Sequence, residues 1–116
     1  MTKVLVVEDS SAVGSMLEKV LTRAGYESRW VASGADAVAA AKEEGAEIVL
    51  LDMNLPDGTG LEIREKLKAI KTMAKAKYVG LSGDDLPASD RKTLDGFLLK
   101  PVAFPDLLKT VKELSG

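Results

Sequence analysis

The sequence predicts an α/β protein with a single doubly wound (βα)5 domain, in which helices cover both faces of a five-stranded parallel sheet. Five short apolar runs recur along the chain, as is typical of strands buried on both faces. Segments with apolar residues at helical spacing separate these runs. Regular alternation of this kind favours right-handed crossovers within one sheet.

The composition restricts the classes of function. The 116 residues suffice for one independently folded domain, which we expect to span residues 1–116. The 16 basic and 18 acidic side chains leave a net charge of −2, which argues against direct nucleic-acid binding. Cysteine and histidine are absent, so Asp, Glu, Lys, Ser and Thr must carry any chemistry. The first apolar run is too short to insert into a membrane, and we expect a cytoplasmic protein.

The five predicted strands are short, apolar and mostly rich in β-branched residues. In chain order they span Val4–Val7, Tyr26–Val31, Ile48–Leu51, Tyr78–Leu81 and Gly96–Leu99. Polar and apolar residues alternate in the second strand, which places it nearer the edge of the sheet. The third strand is apolar throughout and runs into a loop rich in proline and glycine, which indicates a strand buried on both faces.

Capping signals and apolar spacing predict the connecting helices. After Ser10 or Ser11 as N-cap, the first helix has apolar residues at intervals of three and four positions, and it stops at Gly25. Ser33 caps an alanine-rich second helix that ends at Gly45. The three remaining predicted helices start at Leu61, Pro87 and Phe104 and end at about Lys71, about Leu94 and Leu114.

Polar side chains follow four of the predicted strands. They are Glu8 and Asp9, Asp52, Ser82, and Lys100. Because parallel strands bring their carboxyl ends to one rim, where ligands bind in open α/β sheets, we expect these side chains to converge. Each motif alone is ordinary, since acids after a strand usually lie in a solvated loop and an aspartate before a turn is usually turn chemistry.

Together these residues indicate phosphoryl chemistry. Three converging carboxylates repel one another unless a cation neutralises them, and a donor set of oxygen atoms alone favours Mg²⁺. A lysine and a hydroxyl beside such a site suit the oxygens of a phosphoryl group. Asp52 is then the predicted nucleophile, which would accept the phosphoryl group as an acyl phosphate.

The motifs resemble those of the receiver domains of two-component response regulators, such as the chemotaxis regulators. The resemblance runs from Lys3 to about Leu114. The matching motifs are Val-Val-Glu-Asp ending at Asp9, Leu-Leu-Asp-Met-Asn-Leu-Pro-Asp-Gly around Asp52, Leu-Ser-Gly around Ser82, and Phe-Leu-Leu-Lys-Pro around Lys100. The resemblance implies the flavodoxin-like strand order 2-1-3-4-5.

The resemblance also implies a role for each matched residue. Asp52 would be the phosphoacceptor, Ser82 would bond a phosphoryl oxygen, and Lys100 would pair with the phosphoryl group. The implied magnesium ligands, direct or through water, are Glu8, Asp9, Asp52 and the backbone carbonyl of Asn54. Ser82 and the aromatic Phe97 would rearrange on phosphorylation as a two-state switch.

The resemblance implies partners and a phosphoryl lifetime as well. The donor would be a sensor histidine kinase or a histidine phosphotransfer protein. An unidentified output partner would bind the face formed by the fourth helix, fifth strand and fifth helix. A dimer that forms on phosphorylation is an open alternative. Asn54 and Asp84 would flank the path of an attacking water, and this pair predicts a short-lived phosphoryl group. The chain is either a stand-alone receiver or a receiver from a larger protein.

The chain departs from the family pattern in three places. Ser82 and Lys100 are 18 residues apart, about four fewer than in the family, which is roughly one helical turn. The deletion falls in or beside the fourth helix and puts the output surface in doubt. Phe97 replaces a frequent tyrosine, and Gly83 replaces a small alanine.

Three classes of function therefore compete. The first is a phosphorylation switch, which is a signalling domain rather than a turnover enzyme. The second is a binding module that keeps the fold but has a degenerate switch, as the shortened segment suggests. The third is an aspartate-nucleophile phosphatase, which usually has a second acid two residues after the nucleophile, where this chain has Asn54.

Overall fold

A five-stranded parallel sheet forms the centre of the computed structural model, which describes residues 2–115. The strands are β1 (Lys3–Val7), β2 (Glu27–Val31), β3 (Ile48–Asp52), β4 (Lys77–Ser82) and β5 (Gly96–Leu99). Their order in the sheet is β2-β1-β3-β4-β5, and every pairing is parallel. The predicted fold class and strand order are confirmed.

Five α-helices connect and flank these strands. They are α1 (Ser11–Arg23), α2 (Gly34–Glu43), α3 (Gly60–Lys68), α4 (Ala88–Arg91) and α5 (Phe104–Leu114). Ser10 and Ser33 cap α1 and α2 through side-chain bonds to the amides of Val13 and Asp36, as the capping signals predict. Within residues 2–115, none of these helices has the length and apolar character needed to cross a membrane.

Alternate residues of the central strands pack into two separate hydrophobic cores. Leu5 and Leu51 belong to the core beneath α2 and α3, whereas Val6 and Leu50 belong to the core beneath α1 and α5. All five residues of β3 are buried. The sheet is therefore covered on both faces, which leaves the carboxyl ends of its strands as the accessible rim.

The segment around α4 differs from the prediction in length. The predicted helix reaches about Leu94, but α4 ends at Arg91 and has no buried residue. Beyond Arg91 the chain turns and places Leu94 over the sheet at Gly80, where an added Cβ atom would lie only 2.7 Å from Leu94 Cδ1. A helix continued to residue 94 is thus replaced by a turn that packs one leucine onto a glycine.

The loop after β3 contains structure that the sequence analysis missed. Asn54–Leu55 and Gly58–Thr59 form a two-residue antiparallel pair. Thr59 then caps α3 in a reciprocal capping box with Glu62. The helix ends at Lys68, and a short 3₁₀ turn over Lys71–Met73 follows, so the predicted extension to about Lys71 is too long.

Candidate functional site

Three carboxylates lie together on the rim at the ends of β1 and β3. Glu8 and Asp52 are buried, with 0% and 4% of their surface exposed, whereas Asp9 is exposed. One carboxylate oxygen from each residue lies within 4.8 Å of the others. The predicted convergence of these acids is thus present in the structure.

Lys100 joins this cluster from the end of β5. Its Nζ lies 2.5 Å from Glu8 Oε1 and donates a hydrogen bond of 3.2 Å to Asp52 Oδ2. Its backbone amide donates to the Ser82 carbonyl at 2.7 Å, which fixes the start of the following loop against β4. The Lys100–Pro101 peptide bond is cis. One lysine therefore contacts both buried carboxylates.

Burial and pairing shift the pKa values of Glu8 and Lys100. Burial raises the pKa of Glu8 because it disfavours the carboxylate, while the contacts with Lys100 and the amide of Ser10 oppose this shift. Burial acts to lower the pKa of Lys100, but Glu8 and Asp52 outweigh burial and raise this pKa. Lys100 is therefore held as a cation, and it is shared between two buried acids.

The Asp52 carboxylate is held at both oxygens. The amide of Asn54 donates to Oδ1 at 3.0 Å, and Lys100 bonds Oδ2. The amide of Met53 continues the sheet ladder by donating to the Leu81 carbonyl at 2.9 Å. The side chain predicted to be the nucleophile is thus presented in one fixed orientation at the carboxyl end of β3.

The donor chemistry of the cluster fits a hard divalent cation. Glu8, Asp9 and Asp52 supply only oxygen atoms, and Mg²⁺ is usually held by one or two carboxylates together with water. Glu8 Oε1 is buried, and its charge is met by the ion pair with Lys100. Asp9 faces solvent, which leaves access for waters of the metal shell.

Ser82 and Asp84 lie together beyond β4. Ser82 Oγ accepts a hydrogen bond of 3.1 Å from the amide of Asp84, and Asp84 is exposed. Asn54, on the loop after β3, is also exposed. The two residues predicted to flank an attacking water are therefore both open to solvent.

Phe97 lies within β5, opposite Gly80 of β4, and is partly buried. The guanidinium carbon of Arg91 lies 4.7 Å from the centroid of the Phe97 ring. Asp85 accepts a hydrogen bond of 3.0 Å from the same guanidinium group. A cation–π contact from α4 thus holds the predicted switch aromatic in this structure.

Sequence reasoning missed two residues that support this site. The carboxylate of Asp57 accepts hydrogen bonds of 2.9 Å from the amides of Gly34 and Ala35, and these two bonds lower the pKa of Asp57. We call this contact between the loop and α2 the Asp57 clasp. The indole nitrogen of Trp30 donates to the Glu8 carbonyl at 2.8 Å. Both contacts join residues more than 20 positions apart, so no local spacing indicates them.

A family model described as the response regulator receiver domain matches residues 4–112 of this chain. Among characterised proteins, the chain is similar to the polar-differentiation response regulator DivK of Brucella ovis. The two are 26% identical over 121 residues, which cover 100% of this chain and 98% of DivK. The similarity thus extends over all of this chain and nearly all of DivK.

Two solved structures resemble this chain throughout. A CheY-like response regulator receiver domain from Methylobacillus flagellatus has a TM-score of 0.90 and 32% identity, covering 98% of each chain. The response regulator TrrA from Thermotoga maritima, solved in complex with Mg²⁺-BeF, has a TM-score of 0.86 and 28% identity, covering 98% of this chain and 99% of TrrA.

Proposed function

This chain belongs to the response regulator receiver domain family, and on that basis we propose that it acts as a phosphorylation-activated switch in two-component signalling. A sensor histidine kinase or a histidine phosphotransfer protein would donate the phosphoryl group to Asp52. The observation that carries this proposal is the cluster of Glu8, Asp9 and Asp52 with Lys100 in contact with both buried acids.

In the proposed transfer, a carboxylate oxygen of Asp52 attacks the phosphorus of a phosphohistidine. An O–P bond forms, the N–P bond breaks, and the released imidazole of the donor takes a proton from solvent. The amide of Asn54 and the ammonium of Lys100 hold the carboxylate in place before attack. Positioning and charge stabilisation of this kind supply most of the catalysis in phosphoryl transfer.

The proposed magnesium site consists of Glu8, Asp9, Asp52 and the backbone carbonyl of Asn54, directly or through water. When bound, Mg²⁺ would neutralise negative charge on the phosphoryl oxygens. A homologue, TrrA, has been solved with Mg²⁺ and beryllofluoride. Lys100 would then exchange its contact with Asp52 for a phosphoryl oxygen, and the hydroxyl of Ser82 would donate to another.

The proposal is tested by adding beryllofluoride and Mg²⁺ to isotopically labelled protein and recording amide NMR shifts. We expect shifts at Asp52, Ser82 and Phe97 that require both reagents, with no response in an Asp52→Asn variant. Absence of a magnesium-dependent response would favour a binding module with a degenerate switch. Phosphomonoester turnover that survives Asp52→Asn would instead favour a hydrolase.

We propose a short lifetime for the phosphoryl group, because Asn54 and Asp84 are both exposed and leave a path for water. Hydrolysis then breaks the O–P bond by attack of water on phosphorus and restores the Asp52 carboxylate. Decay of phosphorylated wild-type protein is compared with that of variants at the two positions. A phosphoprotein stable for many hours, or decay unchanged by substitution at both positions, contradicts this.

The output surface is proposed to be the face formed by α4, β5 and α5. Leu99 and Phe104 are exposed large apolar residues on this face, at 51% and 40% of their surface. A phosphorylation-dependent partner or a second copy of the chain would cover them. A pull-down with and without beryllofluoride identifies the partner.

The cytoplasmic location and the single domain over residues 1–116 remain predictions.

A further inference from the structure

We propose that Trp30 is a positioning residue for the acidic cluster: its indole fixes the peptide plane between Glu8 and Asp9 and thereby sets the affinity of the cluster for Mg²⁺. The indole Nε1–H donates to the Glu8 carbonyl at 2.8 Å, and this carbonyl shares its peptide plane with the amide of Asp9. The inference rests on the proposed function, since it concerns the same magnesium site. Trp30 itself would not be a ligand.

The main chain of Glu8 is bonded to β2 at both polar groups. Its amide donates to the Val31 carbonyl at 3.0 Å, and its carbonyl accepts from Trp30. The Glu8 carboxylate is bonded separately, to the amide of Ser10 at 3.0 Å and to Lys100 by the ion pair. Because the ladder bond from the Glu8 amide to the Val31 carbonyl restrains only the amide side of Glu8, the indole restrains the carbonyl side and the turn toward Asp9.

Helix α1 is shaped to admit this indole. Gly14 lies in the interior of α1, where glycine costs about 1 kcal/mol relative to alanine. A Cβ atom at Gly14 would lie 2.1 Å from Trp30 Nε1 and 2.5 Å from two ring carbons, so any larger residue displaces the ring. The absence of a side chain at Gly14 therefore leaves the space that the hydrogen-bonding edge of the indole occupies.

The backbone of Trp30 has a separate contact that serves as an internal comparison. Its amide donates to Glu18 Oε2 on α1 at 3.0 Å. Loss of this bond would weaken the contact between α1 and β2 without removing the bond from the indole to Glu8. A role in general stability and a role in positioning the acids therefore respond to different substitutions.

The test measures Mg²⁺ affinity by calorimetry in wild type, Trp30→Phe, Gly14→Ala and the matched control Glu18→Ala, which removes the acceptor of the Trp30 amide, together with thermal unfolding of each. Loss of groups that orient metal ligands typically costs 10- to 100-fold in metal affinity, and we expect about a tenfold loss in Trp30→Phe. Gly14→Ala should lose affinity similarly, because it displaces the ring. Glu18→Ala should keep the wild-type affinity even where it lowers the unfolding temperature.

A second readout uses the wild type alone. Trp30 is the single tryptophan of the chain, so its indole N–H gives one NMR resonance, which we expect to shift on Mg²⁺ binding. Equal affinity in wild type and Trp30→Phe overturns the inference, as does an equal loss in Glu18→Ala. If neither Trp30→Phe nor Gly14→Ala folds, an indole N–H resonance that does not shift at saturating Mg²⁺ overturns the inference. A wild type that does not bind Mg²⁺ overturns the proposed function as well, which separates the two failures.

Discussion

The acid cluster on the rim and the segment over residues 83–95 differ in how they are held. Glu8 and Asp52 are buried, and Lys100 crosses from β5 to pair with both. In contrast, α4 has no buried residue, and its side chains act through surface contacts such as Arg91 with Asp85. The proposed site of phosphoryl acceptance is thus built into the sheet, whereas the proposed output region beside it depends on contacts that are individually weak.

This difference explains how the chain accommodates a fourth helix of only four residues. Leu86 and Leu94 attach residues 83–95 to the core, and Asp95 exchanges two hydrogen bonds with the backbone of Tyr78 at 2.8 Å each. The start of β5 is therefore fixed beside the start of β4, and the bond from the Lys100 amide to the Ser82 carbonyl joins the far ends of the two strands, independently of the helix between them. A short helix there leaves Ser82 and Lys100 in place on the rim.

Lys100→Met is the substitution expected to affect the rim most strongly. It leaves buried Glu8 without its ion-pair partner and next to Asp52. We expect a loss of about 3 kcal/mol in the free energy of unfolding at neutral pH. This value is at the lower end of the range for breaking a buried ion pair, because the Lys100 side chain is 26% exposed. Urea denaturation without metal measures it, with the exposed Lys112→Met as control. Equal stability of the two variants would show that the rim is no more tightly held than the surface.

The pH dependence of stability distinguishes the rim in a second way. Burial raises the pKa of Glu8 above its ordinary value of 4.5, so the folded state binds this proton more tightly than the unfolded state. The contribution of Glu8 is therefore most favourable at low pH and is lost as pH rises from 4.5 through the folded pKa. Denaturation at a series of pH values should show this fall in wild type relative to Glu8→Gln. Parallel pH curves for the two proteins would contradict it.

The smallest expected effect concerns the cation–π contact on Phe97. Arg91→Ala should cost about 0.5–1 kcal/mol locally and speed amide hydrogen exchange over residues 83–95, while exchange at Asp52 stays unchanged. Lys92→Ala, at an exposed neighbouring position, is the control. Faster exchange at Asp52 in the Arg91 variant would mean that the two regions are coupled before phosphorylation, and the comparison would have to be revised.

Sequence patterns predict the central strands well because burial on both faces requires uninterrupted apolar runs, as in Ile48–Leu51. They also predict the convergence of Glu8, Asp52 and Lys100, since parallel topology leaves these strand ends one common rim. The capping box of Thr59 had a readable Thr-x-x-Glu signal that was overlooked.

Other contacts have no comparable sequence signal. The bond from Trp30 to Glu8 depends on how β2 packs against α1, and alternating polarity alone indicates only an edge strand. The end of α4 at Arg91 depends on tertiary packing of Leu94 against Gly80, which overrides the helical spacing of that segment. These features follow from long-range packing rather than from local propensity.

The Asp57 clasp has a consequence for where the chain can accept added residues. Asp57 reaches the first turn of α2 from a loop of fixed length, and Gly60 packs so closely that a Cβ atom would lie 2.7 Å from Met53 Cα. An insertion between Asp52 and Asp57 would pull the carboxylate away from α2. A reporter peptide or affinity tag therefore belongs beside Ala88 and Ser89, which are exposed and lie in a helix with no buried residue.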